Sequence, residues 1–194
     1  MAYDSKEEQY FEWYCEELKY EGVLNNYFFH QESFDLIPGF YYQSAEQRPR
    51  SVKKHTHTLA QPHGYMPDFL LIWNQFNEHH IKFIKCLYNL SDNYFCADHA
   101  NLKKYFYCQL QPQVYSSYID IKPMFTRRDS DVAVFMWKRA LMLEKHKTHV
   151  QAVVIQDLFK KTFTPQRFLR CDVSNKQRKI NWPVKSLTEF LTKH

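Results

Sequence analysis

Residues 63–73 read His63-Gly-Tyr-Met-Pro-Asp-Phe-Leu-Leu-Ile-Trp73, and the rest of the chain is best understood outward from them. The five residues after Asp68 are all apolar, as in a buried strand, yet a carboxylate stands at the strand's mouth. Taking an unpaired charge out of water costs several kcal/mol, so an acid there calls for a partner, a proton or a cation. A second stretch, "SSYIDIKPMF" (116–125), alternates strictly. Ile119 and Ile121 point to one face, and Tyr118, Asp120 and Lys122 to the other, the pattern of a half-buried strand.

Other segments supply the frame. Ser5 caps a predicted helix over residues 5–21, Glu8 stands three residues on as a capping box requires, and Gly22 ends it. Phe11, Tyr14, Cys15 and Leu18 give that helix an apolar face. Residues 27–37 read as a strand. Residues 38–64, with Pro38, Pro49, Pro62 and a basic middle, read as an extended strand or a mobile loop. Residues 74–112 show no clean period. Residues 131–147 read as a helix with Val134, Trp137, Leu141 and Met142 on its inner side, residues 149–159 as a buried strand, and residues 185–193 as a short helix. The order predicts one α/β domain, 1–194, built on a mixed β-sheet flanked by helices.

Composition narrows the function classes. A hydrophobic share of 44% with 18% aromatics argues against disorder. Gly22, Gly39 and Gly64 are the only glycines and build no Gly-rich phosphate loop. No apolar run reaches the roughly 18 residues of a membrane span, and "MAYDSKEEQ" is not a signal peptide. Five cysteines without a CxxC pair point to reduced thiols, hence to a soluble, cytoplasmic protein without a membrane partner. Cys86, Cys96, His99 and Cys108 fit no common zinc module.

Charge is unevenly spread. Residues 1–37 carry two lysines against nine acids, whereas residues 138–194 carry thirteen Lys and Arg against four acids, a local +9. A basic half is the electrostatic footprint of a polyanion partner, commonly nucleic acid, although most such surfaces are merely solvated.

Two strands thus present acids where acids are expensive. Asp68 and Asp120 offer hard oxygen ligands for Mg²⁺, Lys122 can steer a water or offset phosphoryl charge, and Glu8 adds a third acid, with Glu12 a turn further on as fallback. In this combination the chain resembles the nuclease superfamily with the Pro-Asp…(Asp/Glu)-x-Lys signature. Pro67-Asp68 forms one half and Asp120-Ile121-Lys122 the other. Ser5-Lys-Glu-Glu8 and His63-Gly-Tyr65-Met-Pro67-Asp68-Phe69-Leu70-Leu71 resemble the bacteriophage Holliday-junction-resolving endonuclease I family.

The resemblance implies a restriction-endonuclease-like core with residues 74–112 inserted between the two motif strands and a basic C-terminal extension, 160–194. It implies a metal-dependent endonuclease that hydrolyses DNA phosphodiesters, a phage junction resolvase acting on branched DNA as a homodimer in the host cytoplasm. Asp68, Asp120, the Ile121 carbonyl and Glu8 would hold Mg²⁺, with Mn²⁺ as a substitute, and Glu8, Asp68, Asp120 and Lys122 would form the catalytic set. Lys160, Lys161, Arg167, Arg170, Lys176, Arg178 and Lys179 would contact DNA phosphates. Two alternatives stay open: a related nuclease on another DNA substrate, of transposon-end or restriction type, and a catalytically inactive DNA-binding protein of the same fold.

Overall fold

The capped N-terminal segment folds as expected in the computed structural model, which describes residues 3–74, 108–111, 114–122, 130–170 and 176–192. Helix α1 (Lys6–Tyr20) starts at Ser5, whose Oγ accepts from the Glu8 amide at 3.2 Å. The Glu8 carboxylate accepts from the Ser5 hydroxyl at 3.0 Å and from the Asp4 amide at 2.9 Å, completing a reciprocal cap. Gly22, at φ +71°, adopts the left-handed backbone that stops the helix cheaply only for glycine.

The central sheet is mixed. Strands β1 (Leu24–Phe29), β6 (Phe69–Trp73) and β8 (Val114–Ile121) lie side by side and antiparallel. The far edge of β8 is shared by β7 (Cys108–Gln111), antiparallel along its first half, and β9 (Val150–Val153), parallel along its second. Helix α2 (Ser130–His146) lies between β8 and β9 in the chain, as a parallel pair requires. A two-stranded sheet pairs β2 (Phe34–Ile37) with β5 (His63–Tyr65), and a separate ribbon pairs β3 (Phe40–Arg48) with β4 (Ser51–Ala60). Helices α3 (Ile155–Lys161) and α4 (Leu187–Thr192), with a 3₁₀ turn at Arg167–Leu169 between them, complete the described elements.

Strand alternation sorts the core into two layers. Phe69, Leu71, Trp73, Ile119 and Ile121 face α1, α3, α4 and the 3₁₀ turn, packing with Phe11, Tyr14, Phe159, Phe163 and Phe168. Tyr14 ties α1 to α3: its hydroxyl bonds to Thr162 Oγ1 at 3.0 Å and its ring stacks on Phe163 at 4.2 Å between centroids. Leu70 and Tyr118 face the opposite way, against Leu36, Tyr65, Phe135, Met142 and Val150.

Several expectations need correction. Residues 27–37 are not one strand: β1 ends at Phe29, His30 takes a positive φ of 47°, and β2 belongs to another sheet. Residues 149–159 combine a short strand with the start of α3, because a run of β-branched and apolar residues does not itself separate buried strand from buried helix. The inner face of α2 is Val132, Phe135 and Met142, whereas Val134 and Trp137 stand 50% and 45% exposed. Residues 38–64 are extended but form the ribbon and β5. Most of the expected insertion (75–107), and the segment after Lys122 that includes Pro123, lie outside the described residues.

Candidate active site

Asp68 sits just before β6 and bridges two neighbouring strands. Its carbonyl accepts from the His30 amide at 2.9 Å on the β1 side, and its Oδ2 accepts from the Ile121 amide at 2.6 Å on the β8 side. Its Oδ1 lies 3.4 Å from His30 Nε2. The acid at the mouth of the apolar strand thus extends hydrogen bonding beyond the last paired residues, Phe69 and Ile119. That is one answer to why it is there, and its electrostatics supply a second.

Asp120 lies on β8, one residue from the end of the strand, and is 4% exposed. The antiparallel register of β6 and β8 carries it to the same end of the sheet as Asp68. Its Oδ2 accepts a short bond from the Tyr65 hydroxyl, and its Oδ1 faces the Lys122 ammonium. Burial, first, and the Asp120 carboxylate, second, push the Asp68 carboxyl up from 3.8 to about 6; Glu8 adds to the rise, while the Ile121 amide and Lys122 oppose it. Burial and the same Asp120 charge raise the Tyr65 phenol far above its ordinary range, so Tyr65 stays a donor.

A cationic rim comes from α2. Lys122 Nζ lies 5.0 Å from the Phe135 ring centroid, and the Arg139 guanidinium lies 5.5 Å from the same ring. Lys138 stands over the Tyr65 ring at 5.4 Å. Lys122 therefore meets the carboxylates directly, while two further cations, on a helix that the sequence marked only as amphipathic, stand over the neighbouring Tyr65 and Phe135 rings. Lys138 and Arg139 follow Phe135 by three and four residues, so their helical spacing from a buried aromatic was the available signal. His30, too, had no motif to mark it.

The fold brings Asp68, Asp120 and Lys122 into one site. Glu8 is buried and close enough to influence Asp68, but both of its carboxylate oxygens serve the helix cap. Glu12 is elsewhere, accepting from the Tyr3 hydroxyl and lining a cleft with Glu16, Lys19, Tyr20, Asn26 and Tyr27. Among the described residues, no three His, Cys, Asp or Glu side chains form a ready-made metal cluster. The donor set nonetheless fits a hard cation, because the Asp120 charge opposes ionisation of Asp68 and both carboxylates offer only oxygen. Mg²⁺ commonly takes just one or two carboxylates and keeps its waters.

The seven tail cations are spread over several environments. Arg178 donates to the Tyr10 hydroxyl at 3.0 Å and lies over the Phe168 ring at 4.3 Å. Arg167 lies over Trp13 at 4.8 Å and 3.8 Å from Glu16, and Lys160 is 3.6 Å from Asp157. These three engage aromatic rings and acids of the protein itself. Lys161 is half-buried, and Arg170, Lys176 and Lys179 are exposed. Among the described residues no helix is long and apolar enough to cross a membrane. No family model, curated protein or solved structure matched the chain.

Proposed function

We propose that the protein is a metal-dependent endonuclease that hydrolyses DNA phosphodiesters, with a restriction-endonuclease-like core and a preference for branched DNA. One observation carries the reading: Asp68 and Asp120 meet at one sheet end, with Asp68 pushed up to about 6, and Lys122 reaches the same point. Strained carboxylate pairs beside a cation are costly as mere structure and useful as a site. Asp68, Asp120 and the Ile121 carbonyl would hold Mg²⁺ or Mn²⁺, with Glu8 a neighbouring charge. The bound metal would supply a Lewis acid for the phosphoryl oxygens.

The chain's own groups have separable tasks. The Tyr65 hydroxyl fixes one oxygen of Asp120, so the carboxylate keeps one orientation. Lys122, held beside Asp120, directs its remaining N–H donors toward a scissile phosphate or the attacking water. Lys138 and Arg139 stand where they can bind flanking phosphates.

A nicking assay with Mg²⁺ tests the reading directly. A four-way junction and its two component duplexes should be compared at equal ionic strength, with Asp120→Asn as the inactive reference. Cleavage by wild type alone, fastest on the junction, is expected. Equal cleavage of all three substrates would leave a general nuclease, and cleavage by Asp120→Asn at the wild-type rate would overturn the site.

A further inference from the structure

The ribbon of β3 and β4 is the least economical part of the fold. It pairs Phe40 with Ala60 at its root and Arg48 with Ser51 at its tip, turning through Pro49-Arg50. No residue of either strand is buried, and none joins either core layer. A two-stranded hairpin is marginally stable alone in water, and among the described residues no strand pairs with either edge of this one. Phe40, Tyr41, Tyr42, Val52 and Leu59 are 48–71% exposed. The outer half carries Arg48, Arg50, Lys53 and Lys54 against one acid, Glu46. Among the described residues Arg48 pairs with Glu46, whereas Arg50, Lys53 and Lys54 make no ion pair.

We propose that this ribbon is a DNA-binding arm that lies in the major groove of a duplex. The choice of polymer rests on the nuclease reading above, whereas the surface itself stands on charge and shape. Nine or ten residues per strand at about 3.4 Å each make an arm roughly 30 Å long, near nine base pairs of B-DNA. A two-stranded ribbon is one of the two elements that fit a major groove about 12 Å wide. Lysines on an exposed edge also discourage strand pairing between copies, but that purpose needs no exposed aromatics and no near-uniform sign of charge.

The root links the arm to the candidate site. Pro38-Gly39 and Gln61-Pro62 join the ribbon to the β2–β5 pair, in which Phe34 opposes Tyr65, the donor to Asp120. The Tyr41 ring lies over Gly39, where an added Cβ would meet ring carbons at 2.7 Å. Duplex gripped by the arm is thereby tied to the strand that orients a site carboxylate.

The test measures binding of the full chain to a fluorescent duplex of about 30 base pairs, in EDTA, over a range of salt concentrations. Replacing Arg48, Arg50, Lys53 and Lys54 together with Gln should weaken binding at least about tenfold at low salt. It should also lower the log–log salt slope by up to about 0.9 for each phosphate that is no longer neutralised. Lys53→Arg with Lys54→Arg keeps the charge and should bind like wild type. An unchanged slope in the quadruple Gln variant, with its circular dichroism spectrum intact, would overturn the arm. So would tighter binding to the matching single strand, or to phosphatidylserine vesicles, than to duplex. Because no metal is present, absent cleavage would not affect the result, and failure of the arm would leave the nicking assay to stand alone.

Discussion

Asp68→Asn separates the two roles that the structure gives Asp68. Burial and Asp120 raise its carboxyl from 3.8 to about 6. At about 1.4 kcal/mol per pH unit, the ionised group costs the metal-free fold roughly 3 kcal/mol above pH 6. The sign follows from proton uptake. Between about pH 4 and pH 6 the folded chain holds a proton that the unfolded chain has lost, so stability falls as pH rises through that window. The side chain is 19% exposed, so solvent screening erases little of this. Asparagine keeps an acceptor for the Ile121 amide and carries no charge. In EDTA, urea unfolding should therefore show Asp68→Asn equal to wild type near pH 4 and about 2–3 kcal/mol more stable near pH 8. Millimolar Mg²⁺ should then stabilise wild type near pH 8, by about 1.4 kcal/mol at ten times its Kd, and leave the variant unmoved. If Asp68→Asn is less stable than wild type at both ends of the pH range, the carboxylate is a strand-end cap and the reasoning fails.

Three further tests address the surrounding groups. Tyr65→Phe removes the donor to buried Asp120 and should cost about 1–3 kcal/mol in denaturant unfolding, so an unchanged midpoint would discount that bond. Lys122→Gln should abolish nicking while calorimetry still detects Mg²⁺ binding, because it removes charge but no metal ligand; retained nicking would exclude a catalytic lysine. Neutralising Lys160, Lys161, Arg167 and Arg170 together should weaken DNA binding and flatten its salt dependence. The Arg167 change should additionally cost about 1 kcal/mol of stability, because the guanidinium no longer lies over the Trp13 ring, and an unaltered salt slope would turn this surface away from DNA.

Local patterns were legible where one residue dictates one geometry. Ser5 and Glu8 specify a reciprocal cap, and Ile119, Asp120 and Ile121 alternate as a strand facing two environments must. The pairing of Asp68 with Asp120 was legible as chemistry, since buried acids need company. Tertiary choices were not. Phe135 rather than Val134 faces the sheet because the angular setting of α2 is decided by what it packs on, and either residue continues a helical apolar stripe. The turn from β9 into α3 was hidden in an unbroken apolar run, although Asp157 near its start and Lys160 and Lys161 at its end suit a short helix's dipole. Residues 38–64 were legible as extended, but their pairing into a ribbon was not, because they bury nothing and so leave no periodic signal. Arg167 and Arg178 looked like free surface charge until the rings of Trp13 and Phe168 were brought beside them.

The alignment of β6 against β8 has a consequence for folding fidelity. Phe69 opposes Ile119, and side chains alternate faces with a period of two, so a slip of one residue would exchange the two layers. Asp120, with Lys122 on the same face, would then enter the layer of Phe11, Phe159 and Phe163, away from Tyr65, while Ile119 and Ile121 would turn into the layer of Leu36 and Phe135. Taking that ion pair into an apolar layer without the Tyr65 donor costs several kcal/mol, a large part of a domain's whole stability. The acid thus penalises the mispaired alternative, so a polar residue and the apolar pattern together set the register of the sheet.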